Sequence, residues 1–199
     1  MQKGHAERLM PMIDMVMGEA GLAFGSLDRI AVTYGPGTFT GTRICVSAAR
    51  ALALATGAEI VAISSLHLMA MSAAIPAART KYVAIATDAR RDEVYIEVFD
   101  RHSLHAAAEA QCVAVKDAPG LLGAGPIVIA GSGAVAVAEA ARGTGIDAMA
   151  ICPDLLPDAF DMLFAAEELP VVGTVRPLYL RPPDAKPPAP SPFVGAATR

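Results

Sequence analysis

Residues 34–57 read Tyr34-Gly-Pro-Gly-Thr-Phe-Thr-Gly-Thr-Arg-Ile-Cys-Val-Ser-Ala-Ala-Arg-Ala-Leu-Ala-Leu-Ala-Thr-Gly57. An apolar run at residues 30–33 leads in and has the character of a buried strand. A glycine-rich turn follows and opens a helix over residues 41–56. Gly35, Gly37 and Gly41 permit backbone conformations closed to other residues, and Pro36 stiffens the turn between them. Thr38 or Thr40 can cap the helix, and Gly57 can end it. The helix surface is small or apolar on nearly every side, so a neighbour can approach it closely. That neighbour is a phosphate, the protein's own sheet, or another protein.

Working outward, residues 5–20 predict a helix. Leu9, Met12, Ile13, Val16 and Met17 recur at three- and four-residue spacing as one apolar stripe. Residues 59–64 predict a second short strand and residues 66–74 a further helix. Strands at 82–87 and 93–99 flank the turn Asp88-Ala-Arg-Arg-Asp92. Val94, Ile96 and Val98 alternate with Glu93, Tyr95 and Glu97, which predicts an inner and an outer face. Residues 111–115 and 127–130 predict two more strands. The turn Gly131-Ser-Gly133 opens a helix over 134–142, and another helix is expected at 158–168. Residues 174–181 are extended, and the proline-rich segment 182–199 predicts a disordered tail. The first half has only two strands for its helices, and a two-stranded sheet is a poor core.

Bulk properties exclude several function classes. The chain has 199 residues, of which 54% are hydrophobic and 18% charged, enough to bury a core. Its net charge of −4 gives no overall basic footprint for independent nucleic-acid binding. Cys45, Cys112 and Cys152 are widely spaced and odd in number, which argues against a disulfide framework or a zinc finger and fits a reducing compartment. No apolar run approaches the roughly 20 residues needed to span a membrane.

Gly35-Pro-Gly-Thr-Phe-Thr-Gly-Thr-Arg43, Ser64-Ser-Leu66, Asp88-Ala-Arg-Arg-Asp-Glu-Val-Tyr95 and Pro177-Leu-Tyr-Leu-Arg-Pro182 together resemble the TsaB family. The resemblance extends over residues 4–182. It implies an α/β fold with two lobes of the actin/Hsp70/sugar-kinase (RNase H-like) type: residues 1–76 in the first lobe and 77–181 in the second, whose last helix packs back on the first. It also implies opening strands ahead of the first helix, so that the first lobe is N-terminally truncated as it stands here. In function it implies a cytoplasmic, non-catalytic dimerisation subunit. The partners would be a TsaD-like threonylcarbamoyltransferase and a TsaE-like ATPase. Together they carry out N6-threonylcarbamoylation of adenosine 37 in tRNA. Transfer RNA would be met only through the complex, ATP would enter at the level of the complex, and this chain would bind no cofactor of its own. The alternative class is an enzyme: a glycoprotease-like metallopeptidase or an ATP-dependent, kinase-like protein.

Each candidate site has a plain and a functional reading. The glycine-rich turn (Gly35, Gly37, Thr38, Gly41) lacks the lysine of a P-loop, so tight strand-to-helix geometry comes before nucleotide contact. The same holds for Gly131 and Gly133. Asp88, Arg90 and Arg91 form a charged hairpin turn with Asp88 capping the backbone; the resemblance adds a role at the lobe junction or in assembly. The resemblance also sets Ser65 and Met69 where catalytic TsaD relatives carry a histidine pair at i, i+4. Neither suits a hard catalytic ion, and no metal site is expected from them or from His5, His67, His102 or His105. Finally, the resemblance implies a helical bundle shared with the partner. Leu9, Met12, Ile13 and Val16 of the first helix and Ala49, Leu52 and Ala53 of the second are its expected surface.

Overall fold

The computed structural model describes residues 5–77 and 79–181. Helix α1 (His5–Glu19) is followed by strand β1 (Arg29–Thr33), helix α2 (Phe39–Thr56), strand β2 (Glu59–Ile63) and helix α3 (Ser65–Ala74). Strands β3 (Tyr82–Arg90), β4 (Glu93–Asp100) and β5 (Ala106–Ala114) form a meander. After it come β6 (Ile127–Ala130), α4 (Ala134–Ala141), β7 (Ala148–Ile151) and α5 (Ala159–Glu168). The tail predicted to be disordered lies outside the described residues.

Local hydrogen bonds set the helix starts. The Thr38 hydroxyl accepts the Gly41 N–H at 3.2 Å, so α2 begins at Phe39, two residues earlier than the apolar pattern predicts. Gly57 ends it with φ +79°. Ser64 Oγ accepts the His67 N–H at 2.9 Å and starts α3. Asp158 does the same for α5 through the Phe160 N–H.

Two sheets result. In the first, β1 and β2 pair in parallel, from Arg29 opposite Glu59 to Thr33 opposite Ile63. On the far side of β2, the Val172 N–H donates to Ile60 O at 2.8 Å and Val61 bridges Val171. The second sheet has the order β5-β4-β3-β6-β7, in which β4 alone runs against the others. Strand β7 is absent from the sequence-based expectation, and β5 starts at Ala106 rather than residue 111. Both differences have one cause: the segments 106–110 and 148–151, rich in alanine, lack the β-branched signal of their neighbours.

The five-stranded sheet is covered on both faces. Ala84, Ala86, Val94, Ile96 and Ile129 pack under Ala134 and Val137 of α4. Val83, Ile85, Phe99 and Val128 pack on Leu66, Met69 and Ala70 of α3. Each large apolar side chain buried here contributes about 1.5–3 kcal/mol. The alternation in β4 therefore predicts the wrong environment for its second face. Tyr95 packs against the α3-side core, and Glu97 lies opposite Ile85 on that same face instead of in solvent.

The first sheet carries α2 on one side, through Val32, Val46, Ala49, Ile60 and Val175. On the other side Ala165 and Met162 of α5 meet Ile63 and Leu68. Helix α5 is fixed by a hydrogen bond from the Ser72 hydroxyl to the Asp161 carboxylate and by Arg29 Nη1 donating to Ala166 O at 2.7 Å.

Candidate functional site

The glycine-rich turn is held by the protein itself. Tyr34 N–H donates to Ile63 O at 3.1 Å, and Leu178 N–H donates to Tyr34 O at 2.8 Å. Ser65 N–H donates to Gly35 O at 2.8 Å, and the Ser65 hydroxyl donates to Pro36 O. The Gly35–Pro36 peptide is cis, and Gly35 has φ +107°. A Cβ on Gly35 would stand 3.1 Å from Leu178 O and 3.2 Å from Thr42 Cγ2. At Gly41 a Cβ would stand 2.7 Å from the Thr38 hydroxyl, and at Gly37 it would stand 3.3 Å from the Thr42 hydroxyl. The close neighbour that Gly35 admits is therefore the chain's own segment at Leu178, while Gly37 and Gly41 make room for the side chains of Thr42 and Thr38.

The second glycine turn and the charged hairpin, over 40 residues apart in sequence, come together. Gly131 (φ +99°) and Gly133 pass so close to β3 that a Cβ on Gly131 would stand 2.6 Å from Ala86 O. Gly131 N–H donates to Cys152 O at 3.2 Å and Gly133 N–H donates to Ala86 O at 2.9 Å. These amides are spent inside the fold, which removes donors that a phosphate would need. Ser132 Oγ accepts the Asp88 N–H at 3.0 Å, and Asp88 Oδ1 accepts the Arg90 N–H at 2.7 Å, the predicted cap. Arg90, Arg91 and Asp92 all have positive φ, 57–64°. Between hairpin and α4 lies a cleft of about 350 Å³ bordered by Asp88, Arg90, Arg91, Asp92 and Ser132.

One segment joins these places. Residues 171–181 pair with β2, bury Val175, lie over Gly35 at Leu178 and reach the hairpin at Arg181. Arg181 Nη1 donates to Ala89 O at 2.9 Å, and its other nitrogen bonds the Glu93 carboxylate. Glu93 also receives the Cys112 thiol at 3.8 Å, and burial with that carboxylate pushes the thiol pKa up.

The remaining predicted positions separate by depth. Ser65 serves the glycine turn, and Met69 is 2% exposed in the α3-side core, its Cε 3.2 Å from where a Gly131 Cβ would be. His67 packs its ring on Phe99, and burial holds its pKa below the ordinary value. Among the described residues no group of three His, Cys, Asp or Glu is placed to hold a metal. On α1, Met12 and Val16 are 46% and 57% exposed, while Leu9 and Ile13 are half-buried, as are Leu52 and Ala53 of α2. Ala49 is a correction: it is 5% exposed and belongs to the core of the first sheet, because it follows Val46 by three residues on the sheet-facing side of α2.

Sequence reasoning missed Glu97. Its Oε2 is buried without a hydrogen-bond partner, and burial raises the carboxyl pKa to about 7. Tyr34, raised by burial and by the Glu97 charge, is its neighbour from the first sheet. Strand alternation assigned Glu97 to solvent; only the helix covering that face reverses the assignment.

A model of the family described as TsaD, tRNA N6-adenosine threonylcarbamoyltransferase, matches residues 1–174. The TsaB protein of Escherichia coli, named for tRNA threonylcarbamoyladenosine biosynthesis, is 30% identical over 189 residues, which is 89% of this chain and 80% of that protein. The chain belongs to the TsaB family. Other TsaB-family relatives match over shorter spans. Haemophilus influenzae TsaB is 38% identical over 47% of this chain and 39% of its own length, so the matched span is under half of that relative. A tRNA N6-adenosine threonylcarbamoyltransferase of Erythrobacter litoralis is 46% identical over 35% of this chain and 20% of that enzyme. In three dimensions this TsaB-family chain is similar to YeaZ from Pseudomonas aeruginosa, with TM-score 0.68, 30% identity, and coverage of 88% of this chain and 85% of that one. No helix among the described residues is long and apolar enough to cross a membrane.

Proposed function

We propose that this chain is the non-catalytic partner subunit of a TsaD-like threonylcarbamoyltransferase and supports N6-threonylcarbamoylation of adenosine 37 in tRNA, with a TsaE-like ATPase joining the complex in the cytoplasm. The observation that carries this reading is the use made of Ser65 and Met69. Where the resemblance sets a catalytic histidine pair, one residue fastens the glycine turn and the other fills the core.

Two further observations support the reading. Exposed Met12 and Val16, beside half-buried Leu9, Ile13 and Leu52, leave α1 and α2 with an apolar surface suited to a second pair of helices. The mixed sheet, in which parallel crossovers follow an antiparallel meander, suits an RNase H-like lobe of a two-lobe fold. The loop Asp88–Arg91, fastened by Ser132 and Arg181, then stands at the junction of the lobes.

The test is co-expression with a TsaD-type subunit, followed by size-exclusion chromatography and mass-spectrometric measurement of the threonylcarbamoyl nucleoside in tRNA from cells depleted of their own subunit. Co-elution and restored modification are expected. Failure of both, or metal-dependent peptide hydrolysis by the purified chain, would overturn the reading.

A further inference from the structure

The protein is acidic overall, with 20 Asp and Glu against 16 Lys and Arg, yet two of its segments carry no acidic residue. Residues 30–58, which include α2, contain no Asp or Glu, and neither do residues 169–181. These two segments lie side by side. Gly173 and Thr174 border a groove with Arg50, Ala53 and Leu54, and six residues on from Gly173, Tyr179 meets Arg43. Arg43 and Arg50, seven residues apart, share one line of α2 at a separation of about 10 Å. Arg176 is exposed, and on the extended segment it stands about 10 Å before Tyr179. Among the described residues none of these three arginines pairs with a carboxylate. With a screening length of about 8 Å at physiological salt, such a patch acts independently of the distant net charge.

Arg43 is held in place in advance. Its guanidinium carbon lies 3.6 Å from the centroid of the Phe39 ring, and its Nε donates to the Tyr179 hydroxyl at 2.7 Å. The outer nitrogens bond nothing among the described residues and present a planar fork. Phe39 and Tyr179 are themselves 52% and 44% exposed, with ring centroids 5.2 Å apart. Ser47, exposed between Arg43 and Arg50, and the exposed Thr40 and Thr174 beside them are polar. A protein partner would instead seek an apolar centre depleted in charge. Leu54, the large apolar residue nearby, lies beyond Arg50 at the end of the helix.

We propose that this face contacts RNA directly. Arg43, Arg50 and Arg176 take the sugar–phosphate backbone, and the exposed Phe39 or Tyr179 ring stacks an unpaired base. The proposal rests on the reading of the chain as a subunit in tRNA modification and adds a substrate contact made by this subunit itself. It lies away from Leu52 of the pairing surface, because Arg43 and Leu52, nine residues apart, are about 180° apart around the helix; Ala53, expected on that surface, borders this groove and packs on the first-sheet core instead.

The experiment is fluorescence anisotropy with an unmodified tRNA transcript at several salt concentrations. It is run on the chain bound to its TsaD-type partner and on the chain alone. The Arg43→Gln/Arg50→Gln/Arg176→Gln variant is compared with the unsubstituted protein, and circular dichroism checks that both are folded. Each lost phosphate contact should flatten the slope of log K against log salt by about 0.7–0.9. The triple variant should therefore lose about 2–3 of slope and more than tenfold of low-salt affinity. Phe39→Ala should weaken binding about tenfold with little change of slope. Unchanged affinity and slope in the folded triple variant would overturn the proposal. Loss of co-elution with the partner while RNA binding persists would overturn it too, by assigning the face to a protein contact. If the unsubstituted chain itself fails to co-elute, the subunit reading falls, and the titration of the chain alone decides the RNA contact.

Discussion

Replacing Gly131 by alanine tests how closely α4 is fastened to β3. Two costs add. At φ +99° an L residue is strained by about 1–3 kcal/mol. The new Cβ would also stand 2.6 Å from Ala86 O, which already accepts the Gly133 N–H at 2.9 Å at the end of the buried run Val83–Ala86 of β3. Relief requires lengthening that bond, worth about 0.5–1.5 kcal/mol, or shifting β3 against its neighbours. Together they come to about 1.5–4.5 kcal/mol. At about 2–4 °C per kcal/mol for a chain of this size, the melting temperature should fall by about 3–18 °C. The control is Gly57→Ala, where φ is +79° and nothing lies within 4 Å of the added Cβ. Only the left-handed strain, about 1–2 kcal/mol, applies there, and a fall of about 2–8 °C is expected. Differential scanning calorimetry on both variants separates backbone strain from the clash. A Gly131→Ala protein no less stable than Gly57→Ala would refute the close approach.

Three other outcomes follow from the geometry. Val16→Asp, at an exposed position on α1, should leave the fold within about 0.5 kcal/mol of its starting stability and weaken pairing with a TsaD-type subunit by tenfold or more, read by co-elution; Ala49→Arg, in the core, should instead abolish the circular dichroism signal of the native state. For Glu97 the folded carboxyl releases its proton near pH 7 and the unfolded one near 4.5, so between those values the folded state holds a proton the unfolded state has lost, and rising pH lowers stability; chemical denaturation should show Glu97→Gln removing most of that decline from pH 5 to 8. Arg181→Ala deletes the bonds to Ala89 O and Glu93, and hydrogen exchange in residues 88–93 should accelerate while that of β6 is unchanged.

Much of this protein was legible locally. The Thr38 and Ser64 caps, the Gly57 stop, the α1 stripe and the Asp88 turn each depend on residues a few positions apart, and the structure reproduces them. Misreadings came where assignment depended on what covers a surface. Glu97 alternates with buried valine and isoleucine and so belongs to a solvent face until α3 is placed over it. Ala49 belongs to an all-small helix whose buried side cannot be chosen until the first sheet is known. β7, four residues of alanine, methionine and isoleucine, becomes a strand because β6 offers it an edge.

The sequence by itself determined the order of helices and strands apart from β7, the two glycine turns and the resemblance to the TsaB family, because caps, turn chemistry and periodicity act within a few residues. Only the tertiary structure decided that the turns at Gly35 and Gly131 are filled by the protein's own backbone. It alone brought the strap from Val171 to Arg181 across both sheets and set Phe39, Arg43 and Tyr179 together. Those contacts join residues as many as 144 positions apart, as Tyr34 and Leu178 are, and their partners are chosen by which surfaces the packed core leaves adjacent.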